Sequence, residues 1–222
     1  MTSGLLEGLK PSSRRVENFS DAVFAIVVTI MVLEIRVPDS LAFGSDPEAL
    51  MQFAALILTY ALSFVVVAIF WASHHYLLFT LPDADRATIW LNNYVLFWIS
   101  VVPIVARFFG LHPTSPRAVS AYAFVIMMCT LSVSLLRAHA SRVSHNQLHR
   151  AIHRRVFWRA GIALSSYVAA IGLSFVDVRL AWVMLIVLPA MFFLPVVSRS
   201  MSIISPPVAG HERTVDGPQK EQ

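Results

Sequence analysis

The segment RRVENFSDAVFAIVVTIMVLEIRVP, residues 14–38, is the most informative part of the chain. Its uninterrupted apolar stretch runs only from Ala22 to Leu33, and two carboxylates, Asp21 and Glu34, bound it. An ionised carboxylate that faces lipid costs several kcal/mol, so such side chains usually face the interior of a helix bundle, a partner or water. The segment is therefore predicted to be a central membrane helix and not a peripheral one.

The remainder of the chain has the composition of a membrane protein. Of its 222 residues, 57% are apolar and 14% are charged, and the mean hydropathy is +0.67. Apolar runs long enough for the roughly 20 helical residues that cross a bilayer recur along the chain, whereas alternating short strands do not. We predict an all-α polytopic membrane protein with six transmembrane helices, at about 14–37, 50–80, 87–110, 117–138, 156–176 and 179–198.

The distribution of Lys and Arg predicts the orientation. With six spans, one side carries 13 of these residues and the other side carries four. The positive-inside rule then places both termini in the cytoplasm. We predict a multi-pass protein of the plasma membrane. Residues 1–201 are predicted to form one transmembrane domain, and the polar residues 202–222 a disordered cytoplasmic tail. The net charge of +4 requires no nucleic-acid partner, because basic loops beside anionic lipid explain it.

Two smaller features concern Cys129 and the fourth loop. Cys129 is the single cysteine, so an intrachain disulfide is impossible, and we predict a buried small apolar side chain. The fourth loop is basic, and we predict that it lies beside anionic lipid headgroups. Its histidines leave a second interpretation open, in which the loop senses pH or binds a metal ion. These histidines are His139, His145, His149 and His153.

Helical spacing places Ile26, Ile30 and Leu33 along one side of the first helix, with Glu34 slightly off this stripe and Thr29 beside it. If several copies of the helix surrounded an axis, the stripe would form stacked rings of branched apolar side chains. Such rings can close a pore by excluding water from it, and a cation that passes them must lose part of its hydration water. The alternative is that these side chains are ordinary packing residues of a helix bundle.

Polar residues of the next two spans are predicted to lie at the depth of Asp21. At 1.5 Å per residue, Asp21 lies roughly 12 Å inside the cytoplasmic end of its helix. Trp71, His74 and His75 share a face near the end of the second span, and Asn92 lies near the start of the third. Polar groups buried at one depth are expected to satisfy one another.

The first span also carries a motif. Arg15, Phe19, Ser20 and Asp21 form the pattern Arg-x-x-x-Phe-Ser-Asp, which AVFAIVVTIMVLEI follows. This pattern resembles the signature of the transmembrane protein 175 family of potassium channels. The motifs W-x-x-H-H in the second span and W-L-N and I-S-x-x-P in the third extend the resemblance as far as Pro103.

The resemblance implies a passive, potassium-selective cation channel and not an enzyme. In that family the first helix lines the pore, and the constriction is apolar and uses no carbonyl filter. The resemblance then assigns the constriction to Ile26, Ile30 and Leu33 and selectivity support to Thr29. The position of Glu34 at the end of the stripe predicts that its carboxylate lies at the pore mouth. One six-span unit supplies one pore helix, so the expected partner is the chain itself, as a homotetramer. Membrane lipid and permeant potassium ions are expected too, with no cofactor, metal or nucleic acid.

The resemblance also implies a network of polar and motif residues that holds the pore helix in place. Its members are Arg15, Phe19, Ser20, Asp21, Trp71, His74, His75 and Asn92. Arg15 and Asp21 lie about 120° apart around the helix, so each is expected to contact other helices or subunits. The two histidines are interpreted as structural, with a proton sensor as the alternative.

Other classes of function remain as alternatives. A proton- or ion-coupled transporter could use Asp21, Glu34 and the histidines, although the chain lacks the internal repeat that many carriers show. The pair His74 and His75 could bind haem or a metal, but axial haem pairs usually come from wider spacings. An intramembrane enzyme lacks any recognisable catalytic motif. A purely structural scaffold would leave the buried charges of the first helix unexplained.

Overall fold

The computed structural model describes residues 13–38, 46–79, 81, 84–143 and 147–189, with the backbone alone for 147–157. Six α-helices account for its regular structure. They are α1 (Ser13–Leu33), α2 (Pro47–Phe79), α3 (Arg86–Leu111), α4 (Pro116–Val143), α5 (Gln147–Ser174) and α6 (Val178–Pro189). The prediction of an all-α architecture with six helices is confirmed. The predicted tail, 202–222, and the end of the predicted sixth span, 190–198, lie outside the described residues.

Four of the helices, α1 to α4, are long and apolar enough to cross a membrane. The helix α5 has 28 residues, but basic side chains occupy its first turns. The described part of α6 is apolar yet shorter than the roughly 20 residues that a crossing requires. Among the described residues, therefore, four of the six predicted spans have the length and composition of a transmembrane helix.

The predicted fourth loop is mostly helical in the part that the structure describes, so α4 and α5 extend beyond the predicted membrane spans, whose boundaries stay a prediction. The helix α4 continues to Val143, and α5 begins at Gln147. The intervening sequence contains neither Pro nor Gly and is rich in Ala, Arg and Leu, which favour helix, so nothing ends the helices at the edge of the apolar run. His145 and the side chains of His149 and His153 lie outside the described part, so their role stays a prediction.

All six helices contribute buried side chains to the core. The helix α1 packs against α2 and α3, α3 packs against α4, and α4 packs against α5. Cys129 of α4 is fully buried in this core, as predicted. Trp182 of α6 donates from Nε1 to the carbonyl oxygen of Pro113 at 2.8 Å, and its ring lies 4.3 Å from that of Phe109. These contacts fix α6 beside the connection between α3 and α4.

The helices α2 and α3 are in close contact at Gly110. A Cβ atom placed on Gly110 would lie 2.9 Å from Leu56 Cδ2 and 3.2 Å from Leu56 Cα. Since the second atom belongs to the backbone, the helices would have to separate to accept a methyl group. The small residue therefore sets the distance between the two helices at this point.

Gly110→Ala is expected to lower the stability of the detergent-solubilised protein by about 1–3 kcal/mol, the usual cost of overpacking. The matched control is Gly161→Ala in α5, where an added Cβ meets nothing within 4 Å. That control should be neutral or more stable by up to about 1 kcal/mol, since alanine favours helix. Thermal unfolding measures both changes, and equal unfolding temperatures for the two variants would contradict the close contact.

Asp85 caps the start of α3 and connects it to α4. Its Oδ1 atom accepts a hydrogen bond from the Thr88 backbone N–H at 2.7 Å and lies 3.0 Å from His139 Nε2. Hydrogen bonds from the Thr88 side chain and backbone, with a smaller contribution from His139, lower the pKa of Asp85 to about 2. The cap thus joins the start of α3 to the last turns of α4.

The lowered pKa of Asp85 predicts a pH-dependent stability. The ionised cap contributes fully above its ordinary pKa of 3.8, and this contribution is lost as the pH falls through about 2. Asp85→Asn keeps an oxygen that can cap the helix but does not titrate. We expect the difference in unfolding temperature between the wild type and Asp85→Asn to shrink between about pH 5 and about pH 2. A difference that is constant over this range would show that Asp85 does not carry the effect.

Candidate functional site

The helix α1 has one face packed into the chain and one face exposed. The packed face consists of Ser20, Phe24, Val27 and Met31, which recur at helical spacing and are buried. On the other side, Ile26 is 55% exposed, Ile30 is 42% exposed and Leu33 is 75% exposed. These three side chains are therefore not packing residues of this chain's own core.

Thr29 lies beside the exposed apolar face. Its hydroxyl donates a hydrogen bond to the carbonyl oxygen of Ile26 at 2.8 Å, as is common for threonine within a helix. Because the proton is used in this bond, the hydroxyl oxygen presents its lone pairs away from the helix backbone. Thr29 can thus act as an acceptor or as a ligand for a cation.

Glu34 ends the exposed face of α1 and forms an ion pair with α3. Its Oε2 atom lies 3.0 Å from Arg107 Nε, and both side chains are about half exposed. Arg107 did not figure among the predicted site residues. The pair joins the last turn of α1 to α3 and balances the charge of Glu34.

A buried polar layer joins α1, α2 and α3. The Oδ1 atom of Asn92 lies 2.7 Å from His74 Nε2 and 3.1 Å from Ser20 Oγ, and all three side chains are buried. The Ser20 hydroxyl has one proton, which it shares between Asn92 and the carbonyl oxygen of Val16 at 2.8 Å. With the side-chain oxygen of Asn92 directed toward His74, the proton of the neutral His74 ring lies on Nε2, which donates to that oxygen. The ring of His74 lies 5.5 Å from that of Phe24. One asparagine oxygen therefore connects the three helices inside the subunit.

A second polar group, the Glu17 cluster, consists of Glu17, Asp21, Trp71 and His75 and is more exposed. Trp71 donates from Nε1 to Asp21 Oδ1 at 2.9 Å, and its ring stacks on His75 at 5.5 Å. His75 Nδ1 lies 3.2 Å from Glu17 Oε1 and 3.6 Å from Asp21 Oδ2. The cluster therefore ties α1 to α2 beside the buried layer.

The Glu17 cluster contains three groups that could bind a metal ion. Ligand atoms of Glu17, Asp21 and His75 all lie within 4.8 Å of one another. Nitrogen and carboxylate ligands of this kind suit a divalent transition metal. The same distances also describe a histidine paired with two carboxylates, so the geometry requires no ion. The absence of a metal stays a prediction.

The structure does not bring every predicted member into the network. Arg15 and Phe19 are exposed, and Arg15 forms no ion pair with any residue that the structure describes. Glu17 was missed, although its position four residues before Asp21 places both carboxylates on one helix face. The described contacts of the network therefore involve Glu17 in addition to the predicted Ser20, Asp21, Trp71, His74, His75 and Asn92.

These features define a polytopic helical membrane protein whose first helix is joined to the next two by a buried polar layer. The family model described as "Endosomal/lysosomal potassium channel TMEM175" matches residues 15–103. A relative from Chryseobacterium sp. (strain P1-3), named as a potassium channel, is 32% identical over 72% of this chain and 86% of its own length. The chain belongs to the TMEM175 family.

Further relatives and a solved structure agree with this assignment. A protein of Streptomyces collinus, also named as a potassium channel, is 31% identical over 76% of this chain and 85% of its own length. The crystal structure of a lysosomal potassium-selective channel TMEM175 homolog from Chamaesiphon minutus superposes with a TM-score of 0.70 at 26% identity. It covers 82% of this chain and 97% of the solved chain. The similarity thus extends over nearly the whole six-helix unit.

Proposed function

We propose that this chain is one subunit of a potassium-selective channel that conducts passively along the electrochemical gradient. The observation that carries the proposal is the exposed apolar face of α1, which presents Ile26, Ile30 and Leu33 away from the subunit core. Two relatives are named as potassium channels, which supports the choice of ion. The expected ligand is the permeant potassium ion, with no cofactor.

The proposed channel is a homotetramer in the plasma membrane with both termini in the cytoplasm. A single α1 cannot enclose a pore, and copies arranged around a closed symmetry axis would each contribute one. Around such an axis, the exposed face of α1 would become the pore lining and would be covered by water and ions in place of lipid. Exposed Arg15 and Phe19 would then contact neighbouring subunits.

The proposed selectivity arises at an apolar constriction. Rings formed by Ile26, Ile30 and Leu33 offer no ligands, so an ion must pass them with its water or briefly lose part of it. Potassium releases water more readily than the smaller sodium ion does. The outward-facing lone pairs of Thr29 could partly replace lost water beside the Ile26 ring. No carbonyl filter is needed in this scheme.

The buried polar layer has a mechanical role in the proposal. A pore helix that exposes one face to water must be held firmly by its opposite face. The contacts from Asn92 to Ser20 and His74, together with the bond from Trp71 to Asp21, provide this attachment. Since buried hydrogen bonds are costly to break, α1 cannot easily turn about its own long axis. The apolar side chains of the proposed rings therefore keep pointing toward the symmetry axis of the tetramer.

Recording across a planar bilayer tests the proposal directly. With potassium on one side and sodium on the other, a purified wild-type protein should give a reversal potential close to that of potassium. A parallel mass measurement on the detergent-solubilised particle should give four chains. A reversal potential near zero would refute the selectivity, and a stable monomer would remove the basis of the pore.

A coupled carrier is the second candidate, because the Glu17 cluster holds titratable groups side by side. A proton-coupled carrier would load and release protons at such groups as it moves its substrate. Potassium flux from loaded vesicles separates the two classes. A channel follows the potassium gradient whatever the proton gradient, whereas a coupled carrier stops when the proton gradient opposes it.

A further inference from the structure

A cavity of about 130 Å³ lies between α2, α4, α5 and α6, outside the contacts that hold α1. Most of its lining is apolar, with side chains such as Val66, Phe70 and Val133, but it also contains Ser73 and Arg137. Val66 precedes Ser73 by two helical turns and Val133 precedes Arg137 by about one, so apolar side chains extend along the cavity away from the polar pair. Thr130 and Ser134 also line it, but their hydroxyls donate to backbone carbonyls of their own helix. We call it the Arg137 cavity.

Arg137 carries a positive charge without a described counter-charge. Its Nη2 atom donates to Ser73 Oγ at 2.7 Å, and no carboxylate among the described residues forms an ion pair with it. A guanidinium has five N–H donors, so most of its hydrogen-bonding capacity is available. Because Ser73 accepts the bond, its own hydroxyl proton can be donated to another group. Two neighbouring donors therefore face one end of the cavity.

The depth of Arg137 follows from the contact that joins α3 to α4. His139 Nε2 lies 3.0 Å from Asp85, the residue that caps the start of the apolar helix α3. Arg137 precedes His139 by two residues, or about 3 Å of helical rise. The backbone of Arg137 therefore lies close to the level of Asp85, and its guanidinium extends inward from there to Ser73, beside His74 of the buried polar layer.

From this juxtaposition we propose that the Arg137 cavity binds an anionic phospholipid. The phosphate accepts hydrogen bonds from Arg137 and Ser73, and an acyl chain follows the apolar lining past Val133. A guanidinium matches phosphate geometry because two parallel N–H groups can bond two oxygens. A basic pocket between membrane helices on the cytoplasmic side, where the positive-inside rule places this end of α4, is the kind of site that holds such lipids. The lipid supplies a counter-charge that the described residues do not provide, whether or not the protein conducts ions.

Native mass spectrometry of delipidated protein tests the site, with phosphatidylglycerol, phosphatidylcholine and oleate as probes. The wild type should bind phosphatidylglycerol in preference to the other two. Arg137→Gln should weaken phosphatidylglycerol binding about tenfold or more, the effect of losing charge-assisted hydrogen bonds. Arg142→Gln is the matched control, since Arg142 is an exposed basic residue in the last turn of the same helix, and its binding should match the wild type.

Several results would overturn the proposal. These are equal binding of phosphatidylglycerol and phosphatidylcholine, equal losses in Arg137→Gln and Arg142→Gln, a preference for oleate, and no lipid binding at all. Should Arg137→Gln fail to fold, Ala160→Leu provides a second test, because Ala160 lines the cavity without carrying charge. It should fill the acyl path and weaken phosphatidylglycerol binding severalfold. Undiminished binding in Ala160→Leu would place the lipid elsewhere.

Discussion

Ile26→Asn is expected to give a channel with a larger single-channel conductance that admits sodium as well as potassium. Asparagine is smaller than isoleucine and its amide binds water, so a ring of four asparagines in the proposed tetramer would no longer force an ion to lose water. The exposure of Ile26, at 55%, means that the change should leave the core of the subunit intact. Single-channel conductance and reversal potential under opposing potassium and sodium measure the effect.

Two further variants of α1 sharpen this test. Ile26→Ala widens the ring but keeps it apolar, so its loss of selectivity should be smaller. Val32→Asn is the matched control, because Val32 is also exposed on α1 but lies about 120° around the helix from Ile26. It should conduct with wild-type selectivity. Unchanged selectivity in Ile26→Asn, or an equal loss in Val32→Asn, would mean that the filter lies elsewhere.

Asn92→Leu is expected to destabilise the protein by about 1–3 kcal/mol, because it leaves a buried donor, His74 Nε2, without an acceptor. The Ser20 hydroxyl keeps an acceptor in the carbonyl oxygen of Val16, 2.8 Å away. Leucine has the same branching and the same number of side-chain heavy atoms as asparagine, although its methyl groups are bulkier, so the control below is needed to separate hydrogen bonding from packing. Thermal unfolding and the yield of the assembled particle in detergent report the change.

The neighbouring residue provides the control for the polar layer. Asn93→Leu makes the same substitution at an exposed position of α3 and should be close to neutral. Adding His74→Leu to Asn92→Leu removes the stranded donor, so part of the lost stability should return. If Asn92→Leu were as stable as Asn93→Leu, the layer could not hold α1 in the proposed way.

The sequence predicted the all-helical fold because apolar length and the spacing of charges are local properties. It also predicted that Asp21, Trp71, His74 and Asn92 would share one depth, since rise per residue converts position into depth. The choice between His74 and His75 could not be made in the same way. Adjacent residues differ by about 100° around a helix, and the rotation of α2 against α3 depends on packing along the whole interface.

Other features were missed for related reasons. Hydropathy marks where apolar runs end, whereas helices end where a Gly, a Pro or a cap interrupts them, so α4 and α5 extend into the predicted loop. In the sequence, Arg107 contributed only to the number of basic residues on one side of the membrane, which predicts orientation and not contacts. Its pairing with Glu34 depends on the crossing of α1 and α3, which a single sequence does not specify. The ion pair of Arg107 with Glu34 can therefore be recognised only from the tertiary structure.

The ion pair between Glu34 and Arg107 alters the electric field at the outer entrance of the proposed pore. Four unpaired carboxylates would act as a monopole, whose attraction for cations reaches outward to about the Debye length. A carboxylate and a guanidinium 3.0 Å apart form a dipole, whose field falls off much faster with distance. The entrance would therefore gather few cations from solution. Discrimination between ions would rest on the cost of dehydration inside the pore, not on a high local concentration at its mouth.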